Sequence, residues 1–464
     1  MSTLSASGRF YFLPRKRYRF SVKNVGNAAE NLQIIAEITF NLESLVKHFF
    51  SIKRYGFPRK NLWWLFVLWF WLFSELPTQA QAFKFTSGRK KQTLRFQLHR
   101  NLMIVEAKLN GKGPYNFLLD TGVNTSIITD AGLQDSVRFS RGPALRIAGV
   151  GEGSDLHAFY TPDLKVELPG IVSENLTFAV LSEDILNLGS YVGIPVAGIL
   201  GYDFFNSFVV EANFSTLKLK LFEPETYKPE RNYEVLPLSL EGNKPYLQTE
   251  IQVQNENVPV RLLVDTGAGF ALSLETASDP RLKLPAKTLR AQLGIGLAGT
   301  VNGYLVRIEK LRLGKYLVPH LLSSFPDSVA LLGKTSVKRN GTLGLELLKR
   351  FAVVFDYPHQ KLCLKQRIPL DKPFEYDLCG LDLVAVAPDF RTYRVTGVHE
   401  NSAAAEAGIL AGDELLTLDM MPVSQLNLTQ ISRIFHSYPG RKITLLLKRE
   451  GQLVYAEVIL KRRI

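Results

Sequence analysis

From about Phe83 to Lys365, apolar and polar residues alternate with a period of two and β-branched residues are frequent. Turn-forming runs such as Asn110-Gly111-Lys112-Gly113 separate these stretches, so the region reads as mainly β. Two other stretches break the pattern. Leu62 to Phe73, LWWLFVLWFWLF, is twelve apolar residues without interruption. After Ile368-Pro369 the spacing predicts a β–β–helix–β–helix–β series, with one helix from about Leu428 to Phe435.

The β region repeats itself. FLLDTG at 117–122 and LLVDTG at 262–267 each place Asp-Thr-Gly straight after an apolar run. Asp120 is followed 29 residues later by Gly149, and Asp265 by Gly294 at the same interval, both in glycine-rich stretches. Apolar-apolar-Gly elements end at Gly201 and Gly344, 81 and 79 residues after their aspartates. The tails GILGYDFFNSFVVEANFSTLKLKL and GTLGLELLKRFAVVFDYPHQKLCL align without a gap, with Asn213-Phe214 opposite Asp356-Tyr357. Two copies of one lobe, roughly 92–224 and 232–367, account for all of these matches.

Composition adds less. A chain of 464 residues exceeds one ordinary core, and 46% hydrophobic with 21% charged residues indicates a folded protein. The net charge of +13 is concentrated in residues 1–61, where eleven Lys/Arg stand against three Asp/Glu. No basic stripe interleaved with aromatics follows, so nucleic acid is not an expected partner. The apolar run at 62–73 is short for a membrane span but suits the core of a secretory signal. Arg59-Lys60 precede it and Ala80-Gln81-Ala82 follows, so cleavage before Phe83 is expected. The chain is therefore expected to be exported, to a bacterial periplasm or cell envelope. An uncleaved segment would instead anchor it in a membrane. Residues 1–61 read as a basic extension or a start called too far upstream. Cys363 and Cys379 are the only cysteines, and the sequence leaves open whether they are bridged.

Apolar-Asp-Thr-Gly, a glycine-rich hairpin and a later apolar-apolar-Gly, all present twice, resemble the aspartic proteases. Compact lobes with one flap candidate each look like two retropepsin protomers fused in one chain. The resemblance implies a mainly β fold of two pseudo-symmetric, retropepsin-like β-barrel lobes, and a peptide-bond hydrolase that needs no cofactor or metal. Asp120 and Asp265 would be the catalytic dyad, two carboxyls so close that they share one proton. Thr121 and Thr266 would bond across the lobe interface. Gly122 and Gly267 would bring backbone N–H groups to the carboxylates. Gly149 and Gly151, with Gly294 and Gly296, would form flap tips over a peptide or protein substrate. Val123 and Ala268 stand where pepsin-like enzymes place Ser or Thr, which predicts a mildly acidic optimum. Gly269-Phe270-Ala271 replaces Asn124-Thr125-Ser126, so the second loop is expected to be supported differently.

Residues 370–464 carry Ser402, Ala407-Gly408 and Gly412-Asp413 in a spacing that resembles the PDZ signature. This implies a small β-sandwich with two helices. Gly380, Leu381, Asp382 and Leu383 would form the loop and strand edge that pair with a peptide ligand. The PDZ domain would then recruit or position substrate, or pack on the protease lobes. Two rival readings are a peptide-binding adaptor that does not cut, and a membrane-anchored regulatory protease with one target. Gly333-Lys334-Thr335 lacks the earlier glycine of a phosphate loop, having Ser328 there, and reads as a turn. The seven histidines are scattered, which gives no zinc motif.

Overall fold

The computed structural model describes residues 82–147, 156–296, 299–328 and 337–464. Residues 81–464 form one compact unit. The 62–82 signal lies outside the described residues except for Ala82, as does Gly333-Lys334-Thr335.

Each repeat folds as a β-lobe around the same crossover. In lobe 1 the strand Lys112–Leu119 lies parallel to Gly198–Leu200, with Leu119 beside Leu200. In lobe 2 Glu256–Val264 lies parallel to Gly341–Leu343, with Val264 beside Leu343. A short strand then packs antiparallel on the glycine strand: Ile127–Ile128 in lobe 1, Leu272–Leu274 in lobe 2. The glycines are needed because the chains nearly touch. A Cβ on Gly198 or Gly341 would fall closer than 3 Å to the carbonyl oxygen of Ile127 or Ser273. Strand alternation sends Phe117 and Leu119 into the main core, with Leu262 and Val264 in matching positions. Leu118 points the other way, into a second apolar cluster.

The lobes are joined by a shared sheet. Val209–Asn213 pairs antiparallel with Phe351–Asp356, and Glu211 faces Val354. Those two residues are equivalent in the repeat, so the pseudo-twofold axis passes between them. Outside this pair lie Lys218–Phe222 and Lys91–Arg95 on one side, Lys361–Gln366 and Glu234–Glu241 on the other. Val210, Ala212, Val353 and Phe355 are fully buried beneath it. Truncating Phe355 to alanine costs about 3–5 kcal/mol.

The C-terminal domain is a sheet ordered Leu381–Val386, Thr392–Val398, Glu414–Leu418, Lys442–Arg449, Gln452–Ile459. Its helix Leu428–Phe435 matches the expected span. It starts at a capping box, in which Asn427 accepts from the Gln430 N–H and Gln430 reciprocates. Leu428, Ile431 and Phe435, on one helical face, are buried. The connection to lobe 2 is not loose. Arg350, only 4% exposed, donates to the carbonyls of Pro369, Leu370, Lys372 and Pro373 and lies over the Phe374 ring. Arg307 also reaches the Phe374 carbonyl and that of Ile464. Cys363 and Cys379 are buried free thiols in different cores, so no bridge joins them.

Candidate active site

Two loops meet at the pseudo-twofold axis. The backbone N–H of Asp120 donates to Leu200 and that of Asp265 to Leu343, which fixes each loop at the end of its crossover. The two threonines then interlock. Thr121 Oγ1 donates to the Val264 carbonyl at 2.7 Å and accepts from the Thr266 N–H at 2.9 Å. Thr266 Oγ1 donates to the Leu119 carbonyl at 2.8 Å and accepts from the Thr121 N–H at 3.1 Å. Both hydroxyls are fully buried, and each satisfies one donor and one acceptor of the opposite lobe. Four buried polar groups that neither lobe could pair alone are thus satisfied together.

The interlock presses each carboxylate against the other loop. Asp120 Oδ1 accepts from the Gly122 N–H at 2.6 Å, and Asp265 Oδ1 from the Gly267 N–H at 2.8 Å. A Cβ on Gly122 would come closer than 3 Å to the Asp265 carboxylate, and one on Gly267 equally close to that of Asp120. Only glycine allows this approach. Burial first, and the Asp265 charge second, hold the Asp120 carboxyl well above the ordinary carboxylate range; the Gly122 N–H opposes them. Asp120 therefore keeps a proton that an exposed lone carboxylate would have lost.

Residues 105–204 and 250–347 match a family described as aspartyl protease, and residues 394–449 match one described as PDZ domain. The chain carries a duplicated aspartyl protease domain and a PDZ domain. No curated protein matches it.

The remaining expected protease residues divide. Gly294 and Gly296 lie on the strand Leu289–Gly296, which forms a hairpin with Gly299–Leu313 and pairs Gly296 with Gly299. Gly149 and Gly151 lie outside the described residues. The strands flanking them, Ala144–Ile147 and Leu156–Leu168, do pair, with Ile147 opposite Leu156. The loops after the two glycines are supported by different means. In lobe 1 the buried Ser126 Oγ accepts from the Gly201 N–H at 3.2 Å. In lobe 2 the Gly344 N–H donates instead to the Ala271 carbonyl and that of Glu346 to Phe270, so main chain replaces the hydroxyl. The bond from the Leu345 N–H to the Ala268 carbonyl repeats the one from Tyr202 to Val123 in lobe 1. Asn101 adds a cross-lobe tie, donating to the Gly269 carbonyl and accepting from Lys349 Nζ.

In the PDZ domain, Gly380 has φ +85° and Leu381–Val386 is an edge strand. Leu381 and Leu383 are buried in the domain, while Asp382 bonds His399 Nε2 at 3.0 Å. The three consecutive N–H groups that would grip a free carboxylate already serve Asp377. Cys379 donates to Oδ1 at 3.0 Å, and Gly380 and Leu381 to Oδ2 at 2.6 and 2.9 Å. The groove also faces lobe 1. The helix Leu188–Val192 packs along Leu381–Val386. A Cβ on Gly193 would lie 3.0 Å from Leu428, and one on Gly189 3.0 Å from the Phe390 ring. Arg100, whose guanidinium covers Tyr191, bonds Thr429 through its backbone N–H.

Motif reading passed over Asp377 and three charged residues of lobe 2: Lys244, Glu275 and Arg339. The signal for Lys244 was positional, since it sits 21 residues before Asp265. Only the ladder register gives that interval a meaning. Among the described residues no group of three or more His, Cys, Asp or Glu could hold a metal ion. No helix among them is long and apolar enough to cross a membrane.

Proposed function

We propose that the protein is an aspartic endopeptidase in which Asp120 and Asp265 activate one water molecule against a peptide carbonyl. The observation that carries this reading is the threonine interlock, which sets each carboxylate over the other lobe's glycine. The deeper burial of Asp120 favours placing the shared proton there. Asp265 then takes a proton from water as its oxygen adds to the carbonyl carbon, while Asp120 donates to the carbonyl oxygen. Collapse of the tetrahedral intermediate breaks the C–N bond, and the amine leaves with a proton from the dyad. The full chain and Asp265→Asn, mixed with a diverse peptide pool from pH 3 to 8, test the reading. New termini from the wild type alone support it; a folded wild type that leaves every peptide intact refutes it.

The PDZ domain serves in this reading as a docked cap on lobe 1. Its carboxylate-binding N–H groups are occupied by Asp377, and both groove walls touch lobe 1. Recruitment of a substrate or ligand at that edge therefore requires undocking. Export follows from the basic extension and the apolar run before Phe83. N-terminal sequencing of the mature chain decides between release, with a terminus near 83, and anchoring.

A further inference from the structure

The two lobes share a topology but differ in the layer that carries the aspartates. Side chains two apart on a strand share a face, so Leu118 lies on the Asp120 side and Leu263 on the Asp265 side. In lobe 1 this layer contains Leu102, Ile104, Ile127, Val196 and Ile199, a buried apolar cluster closed over by Leu186 and Val192. Equivalent ladder positions in lobe 2 hold Lys244, Tyr246, Ser273, Arg339 and Thr342. The register is specific about Lys244. Tyr246 faces Leu263 as Ile104 faces Leu118, and the same register carried two residues past each ladder sets Lys244 towards Asp265 and Leu102 towards Asp120. The Asp265 and Asp120 charges act on Lys244 accordingly. Directly opposed residues share a face and lie about 5 Å apart.

We propose that Lys244 and Arg339 form a carboxylate-binding subsite in the lobe 2 half of the cleft, which takes an Asp or Glu side chain of the substrate next to the scissile bond. This rests on the endopeptidase reading. The axis relating the lobes passes between the aspartates, so the two sides of a scissile bond lie beside equivalent layers, one of them filled by apolar side chains and the other charged. Arg339 is held in place by its Nε bond to Glu275 at 2.8 Å, both side chains being nearly buried. That bond engages Nε and fixes the guanidinium charge close enough to act on Lys244. Lys244 is half-buried, and its Nζ makes no hydrogen bond or ion pair among the described residues. Burial lowers the Lys244 ammonium from its usual range, and the charges of Asp265 and Asp120 act to restore it. An arriving carboxylate would do the same while the lysine shields it from the negative dyad. In lobe 1 the equivalent space is filled by the buried Leu102 cluster and holds no cation, so an acidic residue is excluded from that side.

The experiment compares peptides that differ only in Glu, Gln or Leu at each position flanking the scissile bond. They are cleaved by the full chain, by Lys244→Leu, which writes the lobe 1 residue into lobe 2, and by Lys244→Arg. On one side of the bond, Glu is expected to exceed Gln by about tenfold or more in kcat/KM. The Lys244→Leu variant should bring that ratio close to one, and Lys244→Arg should keep it. The same peptides, fluorescently labelled, are titrated onto Asp120→Asn, so that recognition is read without turnover. Tighter binding of the Glu peptide there, lost on adding Lys244→Leu, upholds the subsite even if no peptide is cut, and cleavage alone has then failed. Equal binding of Glu and Gln peptides overturns the subsite whatever the activity. An equal loss on all peptides with Lys244→Leu, with the acid limb of the rate profile displaced, also overturns it, because the lysine would then act on the dyad alone.

Discussion

Lobe 1 and lobe 2 agree where the chemistry meets and disagree a few ångströms away. The Thr121/Thr266 interlock and the Gly122 and Gly267 contacts are the same in both directions across the axis. The walls beside them are not. Leu102, Val196 and Thr129 in lobe 1 correspond to Lys244, Arg339 and Glu275 in lobe 2, and the PDZ groove faces lobe 1 while lobe 2 holds the domain's connection and its Ile464 carbonyl. Two carboxylates that share one proton leave almost no freedom in backbone placement, so the centre stays symmetric. The side chains further from the two aspartates have no such restriction. Fusing the lobes into one chain lets each wall differ while the centre is kept.

The largest expected effect tests the symmetric part. Asp120→Asn and Asp265→Asn should each lower kcat/KM by roughly a thousandfold or more, since general acid–base catalysis alone contributes up to about 10⁴. A large difference between them would show that the lobes are unequal at the centre as well. Next come the threonines. Thr121→Ala and Thr266→Ala each leave a buried N–H and carbonyl of the other lobe unpaired, at about 1–3 kcal/mol per group. The two should cost similar amounts in chemical denaturation. The double variant should cost less than their sum, because one network is being removed.

The pH dependence has a definite sign at two sites. Asp120 is raised above its unfolded value, so its contribution falls as pH rises from the ordinary carboxylate range towards the raised one. Asp120→Asn should therefore melt higher than wild type at neutral pH, with the advantage fading below about pH 4. Asp413 is the opposite case. The Arg449 guanidinium, with bonds at 2.7 and 2.8 Å, holds its carboxyl below the usual range. Stability from that pair is present above the ordinary carboxylate range and lost as pH falls through the lowered value. Thermal melts of wild type and Asp413→Asn should thus converge towards pH 2. The smallest effect concerns the asymmetric docking. Gly193, at φ +83° and against Leu428, should tolerate leucine poorly. Gly193→Leu is expected to cost about 1 kcal/mol and to speed hydrogen exchange over 186–194 and 381–386. Unchanged exchange there would mean that the PDZ domain is not held through this helix.

Much of the site was legible in the residues. Asp-Thr-Gly after an apolar strand is a local arrangement, and its second copy implies the axis from the sequence alone. The helix at Leu428–Phe435 followed from periodicity alone, because it buries one face and caps itself with Asn427 and Gln430. The groove of the PDZ domain was not legible in the same way. Gly380-Leu381-Asp382-Leu383 marks the edge strand, but nothing in those four residues tells that Asp377 has already taken their N–H groups. Lys244 was missed for a related reason. A lysine at the start of a strand normally faces solvent, and only the pairing of Tyr246 with Leu263 turns it towards Asp265.

The sequence by itself determined the duplication, the mainly β class, the two aspartates with their Thr and Gly partners, and the separate C-terminal domain. Each of these is written in short-range periodicity or in a motif that repeats at a fixed interval. The tertiary structure alone decided which residue of one lobe faces which of the other, where the PDZ groove docks, and that the charged layer beside the aspartates belongs to lobe 2. Those features arise from strand register and from contacts between segments far apart in the chain. A shift of one residue in register reverses the face of every side chain, and local patterns do not encode partners at that distance.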